Sequence, residues 1–232
     1  MFSSTKVEET RIHEAYAKRQ KDPRYSWFSP GHLFLIQERE REIFILLRKK
    51  GINSFDNMQF LEIGCGEGYW IRQFITWGAR PQNIDAVDLL PNRVDEAKRL
   101  CPETVRVECG SATKLRYPDQ AFDLVHQSTV FSSVLDYSMK KNIASEMLRV
   151  LKTHGLILWY DFHVNNPWNS DVRGVNKREI YQLFPNCRVV LRRITLAPPL
   201  VRLLAPYSRL ACYCLEQLKI FNTHYLGVIQ KM

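Results

Sequence analysis

Short apolar runs alternate with longer amphipathic ones along most of this chain. Residues 5–20 place Val7, Ile12, Ala15 and Tyr16 among many charges, a helical spacing. A break follows at Asp22-Pro23 and another at Ser29-Pro30-Gly31, with Tyr25, Trp27 and Phe28 between them. Residues 32–50 give a stronger helical stripe of Leu33, Leu35, Ile36, Ile43, Phe44, Leu46 and Leu47, interrupted by Glu38 to Arg41. Gly51 suits its C-cap. The rhythm then shortens. Residues 60–63, 84–88, 105–108, 122–126 and 155–160 read as brief buried strands, and 69–77, 93–100 and 138–151 as the helices between them. Gly78 closes the first of these helices and Pro91 precedes the second. A helix at 176–184, a strand at 187–196 and a last strand at 225–230 complete the pattern.

Strands that alternate with helices imply crossovers, and hence a parallel sheet covered by helices on both faces. The expectation is a doubly wound, mostly parallel, seven-stranded α/β sheet. Residues 1–50 are expected to form a helical N-terminal cap and 51–232 the main domain, with 198–221 an amphipathic insertion before the last strand. Ligands of such sheets lie beyond the carboxyl ends of the strands.

Composition adds limits. The chain has 232 residues, 45% apolar and 25% charged, which excludes extended disorder and a disulfide-stapled miniprotein. No uncharged apolar run of membrane-spanning length occurs, and the first twenty residues carry no secretory pattern, so no spanning helix or leader is expected. The six cysteines lack C-x-x-C spacing and read as free thiols of a reducing, cytoplasmic environment. Charge is uneven. Residues 1–50 carry 11 basic and 7 acidic groups, 51–187 carry 15 and 16, and 188–232 carry 7 and 1. The basic ends either meet something anionic or keep the protein soluble.

The chemistry concentrates where the first strand ends, in Glu62-Ile63-Gly64-Cys65-Gly66-Glu67-Gly68. Glycines there allow a tight turn and close approach of a ligand to the backbone. A dinucleotide site wants its third glycine three places after the second; here Gly68 follows Gly66 by two. Glu62 would repel a diphosphate and suits a ligand with an ammonium group and no phosphate, such as S-adenosylmethionine. Asp88 closes the second strand 20 residues after Gly68, where ribose hydroxyls want a carboxylate.

With these features, residues 58–165 resemble the class I S-adenosylmethionine-dependent methyltransferases, with weaker similarity beyond. The resemblance implies a Rossmann-like fold and S-adenosylmethionine as cofactor, leaving S-adenosylhomocysteine as product. It implies that Glu62, Gly64, Cys65, Gly66 and Gly68 hold the methionine end. Asp88 would hold the ribose, and Leu89 would flank the adenine. Ser111-Ala112 stands where the family often has Asp-Ala, so the adenine contact there is weaker or made by backbone. Gln127 and Ser128, ending the fourth strand, would lie beside the sulfonium. Relatives often carry a helical lid, here with Tyr16, Tyr25, Trp27 and Phe28 as its aromatic face; helix-to-sheet packing is the other reading of these rings.

For the acceptor, the fifth strand ends in Tyr160-Asp161-Phe162-His163. His163 is placed as a proton acceptor and Asp161 as its orienting partner; both also fit ordinary loop polarity. His126, inside a strand, reads as a core histidine more readily than as a base. Asp123 reads as structural. The place after the fourth strand reads Gln127-Ser128-Thr129-Val130, unlike a DNA amino-methyltransferase, and Asn166-Pro167-Trp168 follows the wrong strand. Nucleic acid is therefore not favoured as a partner, and no metal is expected. The C-terminal pattern, from WYDFHVNNPWN through RRITLAPPL to THYLGVI, resembles bacterial methyltransferases of surface-polysaccharide and glycolipid synthesis. That implies O-methylation of a sugar hydroxyl or of a carrier-linked glycan or lipid precursor, whose phosphates would suit the basic C-terminal stretch. Residues 198–221 either cover the sheet or lie on an anionic membrane, which leaves peripheral contact with the inner membrane face open. A nucleic-acid or protein methyltransferase and a non-catalytic cofactor-binding subunit are the alternatives.

Overall fold

The computed structural model describes residues 4–18, 23–167 and 169–232. Asp22 of the first predicted break, the end of the first predicted helix at 19–20, and Trp168 lie outside them. Two helices lead the chain, α1 (Ser4–Ala17) and α2 (Pro30–Lys49). Then come β1 (Phe60–Ile63), α3 (Tyr69–Thr76), β2 (Ile84–Asp88), α4 (Pro91–Leu100), β3 (Arg106–Cys109) and β4 (Phe122–Ser128). They are followed by α5 (Tyr137–Val150), β5 (Leu151–Phe162), α6 (Lys177–Leu183), β6 (Cys187–Leu196), α7 (Pro198–Leu204), α8 (Arg209–Gln217) and β7 (Asn222–Lys231).

The helix starts follow local chemistry. Ser29 accepts from His32 N–H ahead of Pro30, and Asp136 accepts from Met139 N–H at 2.6 Å. Proline opens α2, α4 and α7, where its missing N–H costs nothing.

The strands form one sheet in the order β3-β2-β1-β4-β5-β7-β6. β1 and β2 are buried at every position, as central parallel strands must be. The ladders from β3 through β5 are parallel. β7, however, runs antiparallel to both neighbours, and its ladder with β6 extends from Cys187↔Lys231 to Leu196↔Asn222, the longest in the sheet. The sheet is therefore mixed, not mostly parallel. The reason is the connection: α7 and α8 return the chain to the rim where β6 ended, so β7 must run back down. The exposed edge strand β6 carries Arg188, Arg192 and Arg193, charges that discourage a further strand from adding.

Alternation along the strands divides the core. Phe60, Leu124, Leu158 and Tyr160 pack with Phe74 and Trp70 of α3 and Ile43 and Leu47 of α2. Leu61, Ile63, Val125, Ile157 and Trp159 pack with Ile143 and Met147 of α5, Ile180 of α6 and Ile12 of α1. All six cysteines are free. Among the described residues no helix is long and apolar enough to cross a membrane.

One buried ion pair locks α5 to α6. Lys140 is fully buried and its Nζ donates to Glu179 Oε1 at 2.7 Å. Lys140→Ala leaves the Glu179 carboxylate buried with only Arg173 at 3.7 Å as a cation. The expected loss is about 3 kcal/mol of unfolding free energy by urea titration, and Lys140→Met with Glu179→Leu restores most of it.

Candidate functional site

The turn after β1 is built by backbone geometry. Gly64, Gly66 and Gly68 have φ of 68°, 54° and 73°, in the left-handed region. Gly64 and Cys65 N–H both donate to Val87 O, at 2.8 and 3.1 Å, which ties the turn to β2. A side chain at Gly64 would also bring its Cβ within 2.4 Å of Val130 Cγ2 in the turn after β4. Asp88, closing β2, completes the joint. Its Oδ2 accepts from Gly66 N–H at 2.8 Å and its Oδ1 from Leu90 N–H at 2.9 Å. Each oxygen keeps a further lone pair.

A cleft opens beyond the carboxyl ends of β1, β2 and β4. Gly64, Asp88 and Leu89 line one part, Gly110, Ser111 and Ala112 the β3 side, and Ser128, Thr129 and Val130 the β4 side. Val134, Met139 and Ile143 give it an apolar wall, and Ile12 and Tyr16 of α1 close it. That mixture of an apolar wall with a few polar groups suits a nucleoside. α1 is fastened to the turn after β4 at several points. Glu8 Oε1 accepts from Leu135 N–H at 2.5 Å, Arg11 Nη2 donates to Ser133 O at 2.6 Å, and Tyr16 Oη lies 3.1 Å from Ser133 Oγ. Across the opening, the Arg93 guanidinium sits 4.7 Å from the centre of the Tyr16 ring.

Of the residues singled out from sequence, the cleft brings together Gly64, Asp88, Leu89, Ser111, Ala112, Ser128 and Tyr16. Cys65, Gly66 and Gly68 shape the turn without lining the cleft. Gln127 is buried and shapes the neighbouring turn, its Oε1 accepting from Val130 N–H at 3.1 Å. Glu62 does not face the cleft at all. Strand alternation turns it to the other side of the sheet from Ile63, where its carboxylate lies 3.6 Å from His126 Nδ1. Burial pushes the Glu62 carboxyl well above its ordinary range and the His126 imidazole down to about 3, so both are held toward their uncharged forms. The expectation that Glu62 meets a ligand's ammonium group is not met by this geometry. His126 is, as read, a core histidine.

Asp161 and His163 are not a catalytic pair here. Asp161 is fully buried and accepts from Ser132 N–H at 3.1 Å and Phe162 N–H at 2.9 Å, so it braces the turn that lines the cleft. His163 instead places Nε2 2.9 Å from Asn222 O and stacks on Tyr225 at 4.4 Å. Both side chains were expected on one side of the strand, but β5 ends at Phe162 and His163 already belongs to the loop. Tyr25, Trp27 and Phe28 are exposed and stand off the cleft, with Trp27 5.7 Å from the Tyr69 ring. Sequence reasoning missed Arg93, Thr129, Ser133 and the apolar wall. The run Ser128-Thr129-Val130-Phe131-Ser132-Ser133, rich in hydroxyls directly after a strand, was the available signal.

Residues 60–155 match the family described as a methyltransferase domain. Over those residues the chain is similar to that family. Among curated proteins, a malonyl-[acyl-carrier protein] O-methyltransferase of Serratia marcescens is 29% identical over 107 residues, covering 46% of this chain and 39% of that protein. A bifunctional biotin-biosynthesis protein of Cellvibrio japonicus is 28% identical over 102 residues, 44% of this chain and 19% of its own length. The chain thus spans well under half the length of the curated relatives it matches. The likeness in fold extends over more of the chain. A geranyl diphosphate C-methyltransferase of Streptomyces coelicolor superposes with a TM-score of 0.66 over 97% of this chain and 98% of that one, at 14% identity. An S-adenosylmethionine-dependent methyltransferase of Archaeoglobus fulgidus gives 0.59 over 86% and 98%, at 15% identity. The fold is that of S-adenosylmethionine-dependent methyltransferases.

Asp161 gives the site a pH signature. Burial raises its pKa from an ordinary 3.8 to about 6, against the pull of the Ser132 and Phe162 N–H groups. Between those values the folded protein holds a proton that the unfolded chain has released. The contribution of this group to stability is therefore full below pH ~4 and lost as pH rises through ~6, about 3 kcal/mol in total. Asp161→Asn removes the titration. The stability difference between wild type and variant, from urea unfolding at successive pH values, is expected to fall as pH rises; a flat difference would contradict the burial of Asp161.

Proposed function

We propose that the protein is an S-adenosylmethionine-dependent methyltransferase acting on an oxygen of a small or carrier-linked acceptor. The observation that carries this reading is the Asp88 carboxylate, fixed by Gly66 and Leu90 N–H and lining the cleft at the carboxyl ends of β1, β2 and β4. Asp88 would accept from the ribose hydroxyls through its remaining lone pairs. Leu89, Ala112 and Ile143 would flank the adenine, and the backbone at Gly64, bare of a side chain, would admit the methionine end. The bound cofactor supplies an electrophilic methyl group. The chain's part is to orient the acceptor and exclude water. Helix α1 serves the second task, through its bonds from Glu8, Arg11 and Tyr16 to the turn after β4. Within residues 1–50 only α1 acts as a cap; α2 packs into the core on the other side of the sheet.

The lining also bears on the acceptor. The ionisable side chains around the cleft are, among the described residues, Tyr16, Asp88 and Arg93. With Asp88 assigned to ribose, no carboxylate or imidazole remains to take a proton from a hydroxyl. This favours an acceptor that is already anionic, such as a carboxylate oxygen, with Arg93 as a complementary charge. The O-methyltransferase relative points the same way. A hydroxyl of a sugar, or of a carrier-linked glycan or lipid precursor, is the second reading; the 7 basic and 1 acidic residues of 188–232 would suit a phosphate-bearing carrier.

Two measurements test this. Asp88→Ala is expected to raise the Kd for S-adenosylmethionine about tenfold to a hundredfold by calorimetry, the loss of hydrogen bonds to a charged group; unchanged affinity removes the assignment. Labelled methyl transferred to an acyl-carrier-linked carboxylate is expected to be released by mild alkali, as an ester is. Label that survives alkali on a sugar acceptor would favour the hydroxyl reading instead.

A further inference from the structure

We propose that the rim formed by α7, α8 and the entry to α2 is a docking surface for an anionic lipid bilayer. This stands apart from the methyl-transfer reading, since it rests on a different face and is tested by binding alone.

Large apolar side chains crowd this rim, uncovered among the described residues. Phe28 is 97% exposed, Tyr207 88%, Leu210 71%, Ile220 69% and Leu203 65%. They belong to separate segments that meet. A Cβ at Gly31 would lie 3.2 Å from Arg202 Cα, so the entry to α2, with Phe28 just before it, abuts α7. In α8 the inward positions are Cys212 and Glu216, while Leu210, Tyr213, Cys214 and Gln217 share the outer face at helical spacing. This helix buries Cys212 and packs Leu215 inward, yet still turns Leu210 and Tyr213 to solvent.

Charge selects the occupant. Arg202, Arg209 and Lys219 stand among these apolar tips. The one acid in residues 188–232 is Glu216, and it is turned inward to accept from Thr195 N–H at 2.8 Å. Apolar side chains ringed by basic ones match the boundary between acyl chains and anionic headgroups. A second copy of this chain would bring the same positive ring against itself in a two-fold contact. A phosphate backbone of nucleic acid would leave the apolar tips nothing to bury.

The rim also has the right place in the fold. Leu196 pairs with Asn222 and Phe162 with His224, so α7 and α8 lie at the carboxyl end of β5 and β6. The cleft opens along the same edge of the sheet, beyond the carboxyl ends of β1, β2 and β4. Docked in this way, the protein would hold its cleft near the bilayer surface.

The test is co-sedimentation of the full chain with vesicles of phosphatidylcholine alone or with phosphatidylglycerol added. Strong retention is expected on the anionic vesicles at low salt, falling as salt screens the headgroups. Phe28→Asp with Leu210→Asp should weaken retention about tenfold or more, while circular dichroism stays that of wild type, both positions being exposed. Arg209→Gln with Lys219→Gln should remove the preference for anionic lipid. Failure to sediment, equal retention on neutral and anionic vesicles, or wild-type retention of the Phe28→Asp and Leu210→Asp variant would overturn the proposal. So would a concentration-dependent dimer, seen by analytical ultracentrifugation and abolished by Leu210→Asp, which would assign the surface to a second copy.

Discussion

Asp88 accepts one backbone hydrogen bond on each carboxylate oxygen, from Gly66 at 2.8 Å and Leu90 at 2.9 Å, and so clamps the turn after β1 to the turn after β2. The other walls of the cleft follow from this joint. Gly64 sits against Val130, close enough that a methyl group would collide at 2.4 Å, so the turn after β4 takes its position from the turn after β1. That third turn is braced from below by Asp161 and from above by α1, through Arg11 and Tyr16 to Ser133. Three turns and one helix therefore move as a set. A carboxylate held by N–H groups on both oxygens is also preorganised as an acceptor, so a ligand's hydroxyls need not organise it on binding.

Much of this was legible in the chain. The strands of the parallel half announce themselves as short apolar runs because both of their faces are buried, and β1 and β2 are covered at every position. Asp88 could be placed because its strand is short and its end is marked by Leu89-Leu90-Pro91, with the proline opening α4. Facing was harder to read. When a strand is buried on both sides, the apolar pattern carries no period of two, and nothing in Phe60-Leu61-Glu62-Ile63 says which side Glu62 takes. The pairing of Asp161 with His163 failed for a different reason: β5 ends at Phe162, so alternation does not carry on to His163. Strand ends drifted for another reason: β5 begins at Leu151, with no loop after α5, because Leu151 already pairs in parallel with Phe122 of β4, and β7 begins at Asn222 because antiparallel pairing with β6 extends it beyond its apolar centre. The cleft's apolar wall was invisible as such, since Met139 and Ile143 look like any helix face that packs on a sheet and Val134 like any turn residue before a helix.

The side of the sheet away from the cleft handles its polar groups differently. Glu62 and His126 sit fully buried, each shifted toward its neutral form. Nearby, Arg39 of α2 lies between the rings of Trp70 at 4.4 Å and Tyr160 at 4.6 Å. Its guanidinium is the main positive charge acting on His126, and it adds to burial in holding that imidazole neutral. Two aromatic faces are a workable substitute for water around a planar cation. The acid that looked like a ligand contact thus belongs to a packed polar core, and the electrostatics of the cleft rest on Asp88 and Arg93.

The antiparallel strand β7 connects the fold to its surface. Because β7 reverses the direction of β6, the segment that joins them is forced to the carboxyl rim of the sheet, and that segment carries α7 and α8. A parallel last strand would have needed a crossover from one rim to the other, with its helix packed along a sheet face. Here the chain neither crosses nor packs along the face. It caps one end, buries Val201, Ala205 and Cys212 with Leu196 and Phe34, packs Leu200, Leu204 and Leu215 against them, and leaves Leu203, Tyr207 and Leu210 outward. The exposure of that rim is therefore a consequence of topology. Any replacement of Leu203 or Leu210 by a polar residue would cost the fold little, because neither side chain is buried in it.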